Sequence, residues 1–232
     1  MEALSNSLQP YKNLVAQTAS IVTILQFFSG VFICRDIYNK KSTKGISSMP
    51  FIGGVTISVL NLKYGLLLSD SAMITVNVVA IVLNLAYSVF FYLYAEDKVG
   101  EFMKPAGIGA ALTAVLLGYC EYEHPDYLEF RFGLILTVLM LALLGSPLID
   151  LKEIIRKKDA SSIPFPLTFM ATLVTFLWLL YGVILLNNFM ILQNFIGFVL
   201  SLIQLILLFL FPGNSSVSSP SKKKKAKSTK RD

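Results

Sequence analysis

Residues 61–77 read NLKYGLLLSDSAMITVN, and residues 178–194 read WLLYGVILLNNFMILQN. In both stretches a Tyr-Gly pair is followed, after the same number of residues, by an asparagine, so that Asn77 corresponds to Asn194. The stretches lie 117 residues apart, and each consists of an apolar segment, a short turn and a second apolar segment. This internal repeat predicts a chain built from two copies of one structural unit.

Other positions match at the same offset of 117 residues. They are one serine and three basic residues: Ser29 with Ser146, Arg35 with Lys152, and Lys40-Lys41 with Lys157-Lys158. One block departs from this register, because residues 47–51 match residues 161–165 at an offset of 114. We therefore predict a three-residue deletion in the second copy of this loop, offset by three extra residues in the sixth helix.

Long apolar runs dominate the 232-residue chain, of which 55% is hydrophobic and only 15% charged. A helix needs about 20 apolar residues to cross the hydrocarbon core of a bilayer. Seven runs approach this length: Leu14–Cys34, Met49–Leu68, Ala72–Tyr94, Pro105–Cys120, Phe130–Ile149, Pro164–Leu186 and Phe189–Phe211. The sequence therefore predicts an all-α membrane protein with seven transmembrane helices.

The repeat divides these helices into two groups of three. Helices one to three occupy residues 14–96, helix four and the loop after it occupy 97–127, and helices five to seven occupy 128–212. A single intervening helix makes the two repeats run in the same direction through the membrane, a 3+1+3 arrangement joined by a linker helix. Residues 1–13 and the basic tail, 213–232, lie outside this arrangement.

The charge of the loops predicts the orientation, since short cytoplasmic loops are enriched in Lys and Arg. The loops after helices one, three and five are basic, whereas the loop after helix four is acidic. We therefore expect the amino terminus outside and the carboxyl terminus in the cytoplasm, in the plasma membrane or the Golgi. Seven positive charges lie in residues 221–232, and we interpret this tail as solvated and close to anionic lipid rather than as binding nucleic acid.

Four residues that can bind polar ligands lie within apolar helices: Asn61, Asn77, Trp178 and Asn194. Counted from the predicted helix ends, all four lie about 8–12 Å deep, in one layer with two from each repeat. Amides donate and accept hydrogen bonds, and an indole offers a flat apolar face, so the set suits a neutral polyol. Hydrogen bonding between helices is the alternative explanation for the asparagines.

Acidic residues are missing from the middle of every predicted helix. Transporters that couple to protons or sodium usually carry carboxylates or histidines within the membrane. The sequence therefore favours downhill transport.

Each half of the chain contains several short motifs. They are Ser146-Pro147-Leu148, Ser162-Ile163-Pro164-Phe165 and Gln193-Asn194 in the second half, and Lys41-Ser42-Thr43, Pro50-Phe51 and Val76-Asn77 in the first. Together with the Tyr-Gly pairs, they resemble the SWEET family of sugar transporters over about residues 14–212. The resemblance implies passive, bidirectional transport of mono- or disaccharides such as glucose or sucrose by alternating access, and a homo-oligomer.

The resemblance also implies roles for individual residues. It places the sugar pocket at Asn61, Asn77, Trp178 and Asn194, and it places outer-gate tyrosines at Tyr64 and Tyr181. It assigns the hinges of the inner gate to Gly30, Pro50, Pro147 and Pro164, with glycine where the family has a fourth proline. Asn187 stands where the family often has an acidic gate residue, which argues against an ion pair there. Asn61 replaces a serine or an aromatic residue, and this change is expected to alter the preferred sugar size.

Two other functions remain open on the sequence alone. A seven-helix receptor would share the outside amino terminus, but neither the repeat nor the very short loops. A proton-coupled transporter of a small polar solute would need an intramembrane carboxylate. An enzyme is not expected, because the only histidine, His124, lies in a predicted outer loop and no nucleophile–base pair or metal-ligand spacing is evident. The sequence thus predicts no catalytic residue, metal or cofactor.

Overall fold

The structure, a computed structural model, describes residues 1–143 and 145–212, and no strand occurs among them. The helices are α1 Glu2–Leu8, α2 Lys12–Phe27, α3 Gly30–Lys40, α4 Met49–Leu67, α5 Ser71–Tyr94, α6 Lys104–Tyr122, α7 Pro125–Leu143, α8 Gly145–Lys157, α9 Phe165–Leu185 and α10 Asn188–Leu210. A 3-10 turn, Gln9–Tyr11, joins α1 to α2, and a π-helical turn, Lys98–Met103, leads into α6. The predicted basic tail, 213–232, lies outside the described residues, as do the side chains of residues 144–150.

Six helical segments are long and apolar enough to cross a membrane: Glu2–Lys40, Met49–Leu67, Ser71–Tyr94, Lys98–Tyr122, Phe165–Leu185 and Asn188–Leu210. The seventh crossing is α7 continued by α8. The first two turns of α7 carry Asp126, Glu129 and Arg131, which shortens the apolar part of that helix. The prediction of an all-α membrane protein with seven transmembrane helices in a 3+1+3 arrangement is confirmed, with α2–α3 as helix one and α6 as the linker.

The third helix of each repeat contacts both of the others. In the first repeat α5 packs on α2 and α4, and in the second α10 packs on α7 and α9. The repeats meet through equivalent pairs, because α2 packs against α9 and α4 against α7. We call the side that carries α1 and the α4–α5, α6–α7 and α9–α10 turns the amino-terminal side. The opposite side, with the α3–α4 and α8–α9 loops, is the carboxyl-terminal side.

The first helix of the first repeat is interrupted, since α2 ends at Phe27 and α3 begins at Gly30. In the second repeat the structure describes α7 as far as Leu143 and α8 from Gly145, and the residue between them lies outside the described part of the chain. Pro147, to which the resemblance assigns a hinge, lies in α8.

Residues with left-handed backbone mark corresponding points in the two repeats. Lys41 and Lys158 follow α3 and α8 with φ of 54° and 53°, and Ser69 and Leu186 follow α4 and α9 with φ of 52° and 54°. Each pair is 117 residues apart. The repeat seen in the sequence is thus also a repeat of backbone conformation at the helix ends.

The loops before α4 and α9 and the helices themselves differ in length in the direction of the predicted slip. Lys41 and Lys158 are 117 residues apart, whereas the helices that follow begin at Met49 and Phe165, 116 residues apart. The second helix of the repeat is also longer in the second copy, with 21 residues in α9 against 19 in α4. The three-residue size of the slip stays a prediction.

Prolines stand at the start of both helices. Pro50 is the second residue of α4. In α9, Pro164 is the N-cap residue and Pro166 is the second residue of the helix. Both prolines that the resemblance assigns to hinges, Pro50 and Pro164, thus lie at the start of their helices.

Helix α1 is a feature that the sequence analysis does not predict. It folds over the end of α9, where Ser5 Oγ and Gln9 Nε2 each donate to Ile184 O at 2.9 Å. The last carbonyls of a helix lack intrahelical partners. These two hydrogen bonds therefore satisfy a carbonyl at the end of α9 and fix α1 over the amino-terminal side.

Candidate functional site

A cavity of about 280 Å³ lies between the two repeats on the membrane-spanning helices. All four residues predicted to bind the ligand line it: Asn61, Asn77, Trp178 and Asn194. Gln193 and Thr175 add polar groups, and Met73, Met140 and Met190 add flexible apolar surface. The structure thus brings the predicted residues together, from α4, α5, α9 and α10.

Asn77 and Asn194 have the same hydrogen bond in the two repeats. Asn77 Nδ2 donates to Met73 O at 2.8 Å, and Asn194 Nδ2 donates to Met190 O at 2.9 Å. Each bond goes to the preceding turn of the same helix and holds the amide in one orientation. The side-chain oxygen, an acceptor with two lone pairs, then remains for a hydroxyl group in the cavity.

Trp178 is held by a contact between the repeats. Its Nε1 donates to Thr23 Oγ1 of α2 at 2.8 Å, and Thr23 Oγ1 donates to Ala19 O at 2.6 Å. The Trp178 ring also meets the Tyr181 ring edge-on, with centroids 5.8 Å apart. Since the indole N–H is already used, Trp178 offers its apolar ring surface to the cavity.

The cavity is not symmetric, although its residues come from a repeat. Trp178 corresponds to Asn61 at the offset of 117 residues. One wall therefore carries an aromatic ring where the other carries an amide. A ligand with one apolar face and hydroxyl groups on its other edges matches this difference.

Gln193 lines the cavity but was identified in the sequence only as part of a motif. Its Nε2 donates to Thr137 Oγ1 at 2.7 Å, and Thr137 Oγ1 donates to Gly133 O at 2.8 Å. This chain of hydrogen bonds joins α10 to α7. The available signal was a second amide directly before Asn194 in an apolar helix.

Two hydrogen bonds between the repeats close the amino-terminal side. Tyr181 Oη donates to Asp70 Oδ2 at 2.5 Å, and Asn187 Nδ2 donates to Tyr64 Oη at 3.0 Å. Asp70 and Asn187 occupy corresponding positions, as do the two tyrosines. Each repeat thus supplies one tyrosine and one turn residue, and the bonds cross. Asp70, Tyr64 and Tyr181 are all less than 9% exposed, so water has little access to this gate.

The turn residues of the gate also begin helices. Asp70 Oδ1 accepts from Met73 N at 2.8 Å at the start of α5, and Asn187 Oδ1 accepts from Met190 N at 2.9 Å at the start of α10. An N-cap residue of this type satisfies an amide without an intrahelical partner. The gate contacts are therefore fixed to the helices that carry Asn77 and Asn194.

Asp70 is a site residue that the sequence analysis missed. An acidic residue in a short loop is usually exposed to solvent, and the sequence analysis gave Asp70 no role. Its correspondence with Asn187, which the resemblance placed at the gate, was the signal that could have identified it. At the corresponding position of the second repeat, the Asn187 amide donates to the Tyr64 hydroxyl.

A larger cavity, of about 690 Å³, lies on the carboxyl-terminal side. Its polar lining includes Gln26, Glu153, Lys157, Ser161 and Gln204. Thr168 and Ala171 of α9 line this cavity, and Thr175 and Trp178 of the same helix line the smaller one. Residues spaced three or four apart share one face of a helix, so one face of α9 runs along both cavities. In the described conformation, hydrogen bonds close the amino-terminal side and a cavity lies on the carboxyl-terminal side.

Charged residues close the α6–α7 turn on the amino-terminal side. Arg131 Nη1 lies 2.8 Å from Glu123 Oε2, and the Tyr119 hydroxyl donates to the same carboxylate. These two donors hold the pKa of the Glu123 carboxyl at about 2, below its ordinary value of 4.5. Lys63 of α4 adds a weaker link to Glu121, with Nζ 3.3 Å from Oε1. The contacts tie the linker helix to both repeats.

Comparison with known proteins agrees with this architecture. The family model described as "Sugar efflux transporter for intercellular exchange" matches twice, at residues 13–99 and 130–216, and the two matches start 117 residues apart. A solved eukaryotic SWEET transporter has the same fold, with a TM-score of 0.75 at 23% identity, over 87% of this chain and 98% of that one.

Named relatives match over most of their length. The sugar transporter SWEET1 of Drosophila pseudoobscura pseudoobscura is 33% identical over 87% of this chain and 90% of its own. SWEET1 of Xenopus laevis is 30% identical over 86% and 93%, and the bidirectional sugar transporter SWEET9 of Arabidopsis thaliana is 27% identical over 90% and 83%. The repeated match to the family model and these identities show that the chain belongs to the SWEET family.

Proposed function

We propose that the protein carries mono- or disaccharide sugars across a membrane passively and in both directions, by alternating access to the cavity between its repeats. One observation carries the proposal. Hydrogen bonds close the polar cavity on its amino-terminal side, and a larger cavity borders it on the carboxyl-terminal side. The names of the relatives, which are sugar transporters, support the choice of substrate.

The lining of the smaller cavity supports a sugar as the ligand. Asn77 and Asn194 offer oriented carbonyl oxygens to hydroxyl groups, and Asn61 offers an amide. Trp178 can stack on the C–H face of a pyranose ring. The volume of about 280 Å³ is at the lower end of the range for small-molecule pockets, roughly 300–1,000 Å³. A monosaccharide therefore fits this conformation better than a disaccharide.

Passive transport follows from the charge of the cavity. None of the described residues that line the smaller cavity is charged. A site without an ionisable side chain offers no group that takes up a proton during the cycle, which supports net flow along the sugar gradient. The two cavities along one face of α9 give a route from the carboxyl-terminal side. Release on the other side then requires the Tyr64–Asn187 and Tyr181–Asp70 bonds to break.

The setting of this cycle is also part of the proposal. The basic loops place the carboxyl-terminal side in the cytoplasm, so the described conformation faces inward. We place the protein in the plasma membrane or Golgi, surrounded by lipid, as a homo-oligomer. We assign the hinges of this cycle to Gly30, Pro50, Pro147 and Pro164.

Uptake of labelled glucose and sucrose into cells without sugar carriers of their own tests the proposal. We expect glucose uptake that is insensitive to pH and sodium gradients. Asn194→Ala should reduce it about tenfold, the effect of losing one hydrogen bond to a buried ligand. Asn188→Ala, a change of the same type at an exposed residue on the same helix, is the matched control and should leave uptake unchanged.

Three outcomes would overturn the proposal. If neither sugar enters although the protein is at the cell surface, the substrate is wrong. Uptake driven by a pH gradient would point to proton coupling. Guanine-nucleotide exchange on adding sugar, without uptake, would point to a receptor.

A further inference from the structure

Gly30, the first residue of α3, lies against an aromatic ring of α5. A Cβ atom at Gly30 would lie 2.4 Å from Tyr87 Cε2 and 2.6 Å from Cδ2. Real side chains essentially never approach this closely. The Tyr87 ring thus occupies the space that any side chain at residue 30 would need.

Tyr87 also bonds to the interrupted helix. Its hydroxyl donates to Phe27 O at 3.2 Å, and Phe27 is the last residue of α2. Carbonyl groups at a helix end lack intrahelical partners, and leaving such a group buried and unpaired costs free energy. The Tyr87 side chain therefore fills the space beside Gly30 and also donates a hydrogen bond to the last residue of α2.

The same ring reaches the start of helix two. Its centroid lies 5.6 Å from that of Phe51, which follows Pro50 in the first turn of α4. Tyr87 and Phe51 are 8% and 2% exposed and belong to one apolar cluster with Cys34. Tyr87 thus connects the interruption of helix one to the proline-bearing end of helix two.

The second repeat has a different pair at these positions. At the offset of 117 residues, Gly30 corresponds to Pro147 and Tyr87 to Gln204. Gln204 lines the 690 Å³ cavity on the carboxyl-terminal side. The Tyr87 ring is thus packed in the first repeat, whereas its counterpart in the second repeat, Gln204, borders the larger cavity.

We propose that Tyr87 is a positioning residue of the transport cycle, which holds the carboxyl-terminal part of the first repeat packed while the matching part of the second repeat opens and closes. This proposal rests on the alternating-access function given above. It makes the proposed hinges unequal: the contact with Tyr87 makes Gly30 a stiff joint that bends little, and the Pro147–Gln204 pair belongs to the half that moves more.

Cys34 provides a readout that is independent of sugar transport. It lies one turn after Gly30. Both cysteines are buried, and Cys120 lies near the other end of the molecule. The rate of alkylation of each cysteine by a small maleimide can be measured in membranes by mass spectrometry. Loss of the Tyr87 contacts should make Cys34 more accessible and raise its alkylation rate. The alkylation rate of Cys120 should not change, so Cys120 is the internal control.

The decisive variant is Tyr87→Phe, which removes the donor to Phe27 O and keeps the ring. We expect Cys34 to be alkylated about threefold to tenfold faster, the factor set by one hydrogen bond. Tyr92→Phe is the matched control, because its hydroxyl makes no hydrogen bond within the described part of the chain and lies on the same helix. It should change neither cysteine.

A second pair of variants tests the close packing of the Tyr87 ring against Gly30. Gly30→Ala should lower glucose uptake about tenfold at equal surface level, since overpacking of this kind is strongly unfavourable. Gly30→Ala combined with Tyr87→Leu should recover much of that loss, because the ring no longer occupies the space. Recovery would show that the two residues act through each other.

Two results would overturn the inference. One is unchanged alkylation of Cys34 in Tyr87→Phe; the other is no difference between Gly30→Ala and the unaltered protein. If Gly30→Ala does not reach the surface, the Tyr87→Phe measurement alone decides. If the unaltered protein carries no sugar, the proposed function fails, and the alkylation rates still test the joint.

Discussion

The two hydrogen bonds that close the amino-terminal side occupy corresponding places but differ in chemistry. Tyr181 donates to a carboxylate, Asp70, whereas Tyr64 accepts from an amide, Asn187. A hydrogen bond to an ionised group is roughly twice as strong as one between neutral groups. The two hydrogen bonds of the gate thus have corresponding positions but different strengths. The bond to Asp70 is expected to break last when the gate opens.

Removing the turn residues should show this difference most strongly. Asp70→Ala removes the N-cap of α5 and leaves the buried Tyr181 hydroxyl without a partner, at a cost of about 3 kcal/mol. Asn187→Ala removes the N-cap of α10 and a weaker bond, at a cost of about 2 kcal/mol. The thermal unfolding midpoint of the purified protein in detergent measures both.

Asp126→Ala is the control for this pair, because Asp126 is an exposed acid on the same side. It should leave the midpoint within about 0.5 kcal/mol of the unaltered protein. An Asn187→Ala variant that unfolds at the same temperature as Asp70→Ala, or below it, would contradict the unequal gate.

The tyrosines give a second, smaller comparison that leaves both N-caps intact. Tyr181→Phe leaves a buried carboxylate oxygen unpaired and should cost about 2 kcal/mol, whereas Tyr64→Phe leaves a neutral amide and should cost about 1 kcal/mol. The same unfolding midpoints measure these changes. In an Asp70→Asn background the two costs should become equal, because both turn residues are then amides. A gap that remained there would show that the carboxylate is not its source.

Much of this architecture could be predicted from the sequence because apolar length and repeated motifs are local properties. Seven spans and the 3+1+3 order needed only run lengths and the offset of 117 residues. The four cavity residues were found because polar groups in apolar helices are rare, and the structure places them all on one cavity.

Features that depend on distant contacts could not be predicted in this way. Asp70 becomes a gate residue only because the fold brings Tyr181, 111 residues further on, to its carboxylate. Helix α1 is fixed by a carbonyl of α9, which no local pattern near residue 5 indicates.

The smallest effect is expected at a closing contact outside the repeat symmetry, the Glu123–Arg131 pair in the α6–α7 turn. The pKa of Glu123 is lowered to about 2 by its partners, so folding favours the ionised form. Its stabilising effect is complete above the ordinary value of 4.5 and is lost as the pH falls toward 2. Glu123→Gln should therefore lower the unfolding midpoint slightly at neutral pH, and the difference should shrink in acid. Glu129→Gln, at an exposed position in α7, is the control. A deficit of Glu123→Gln that did not depend on pH would mean that the charge of Glu123 contributes nothing to the stability of this side.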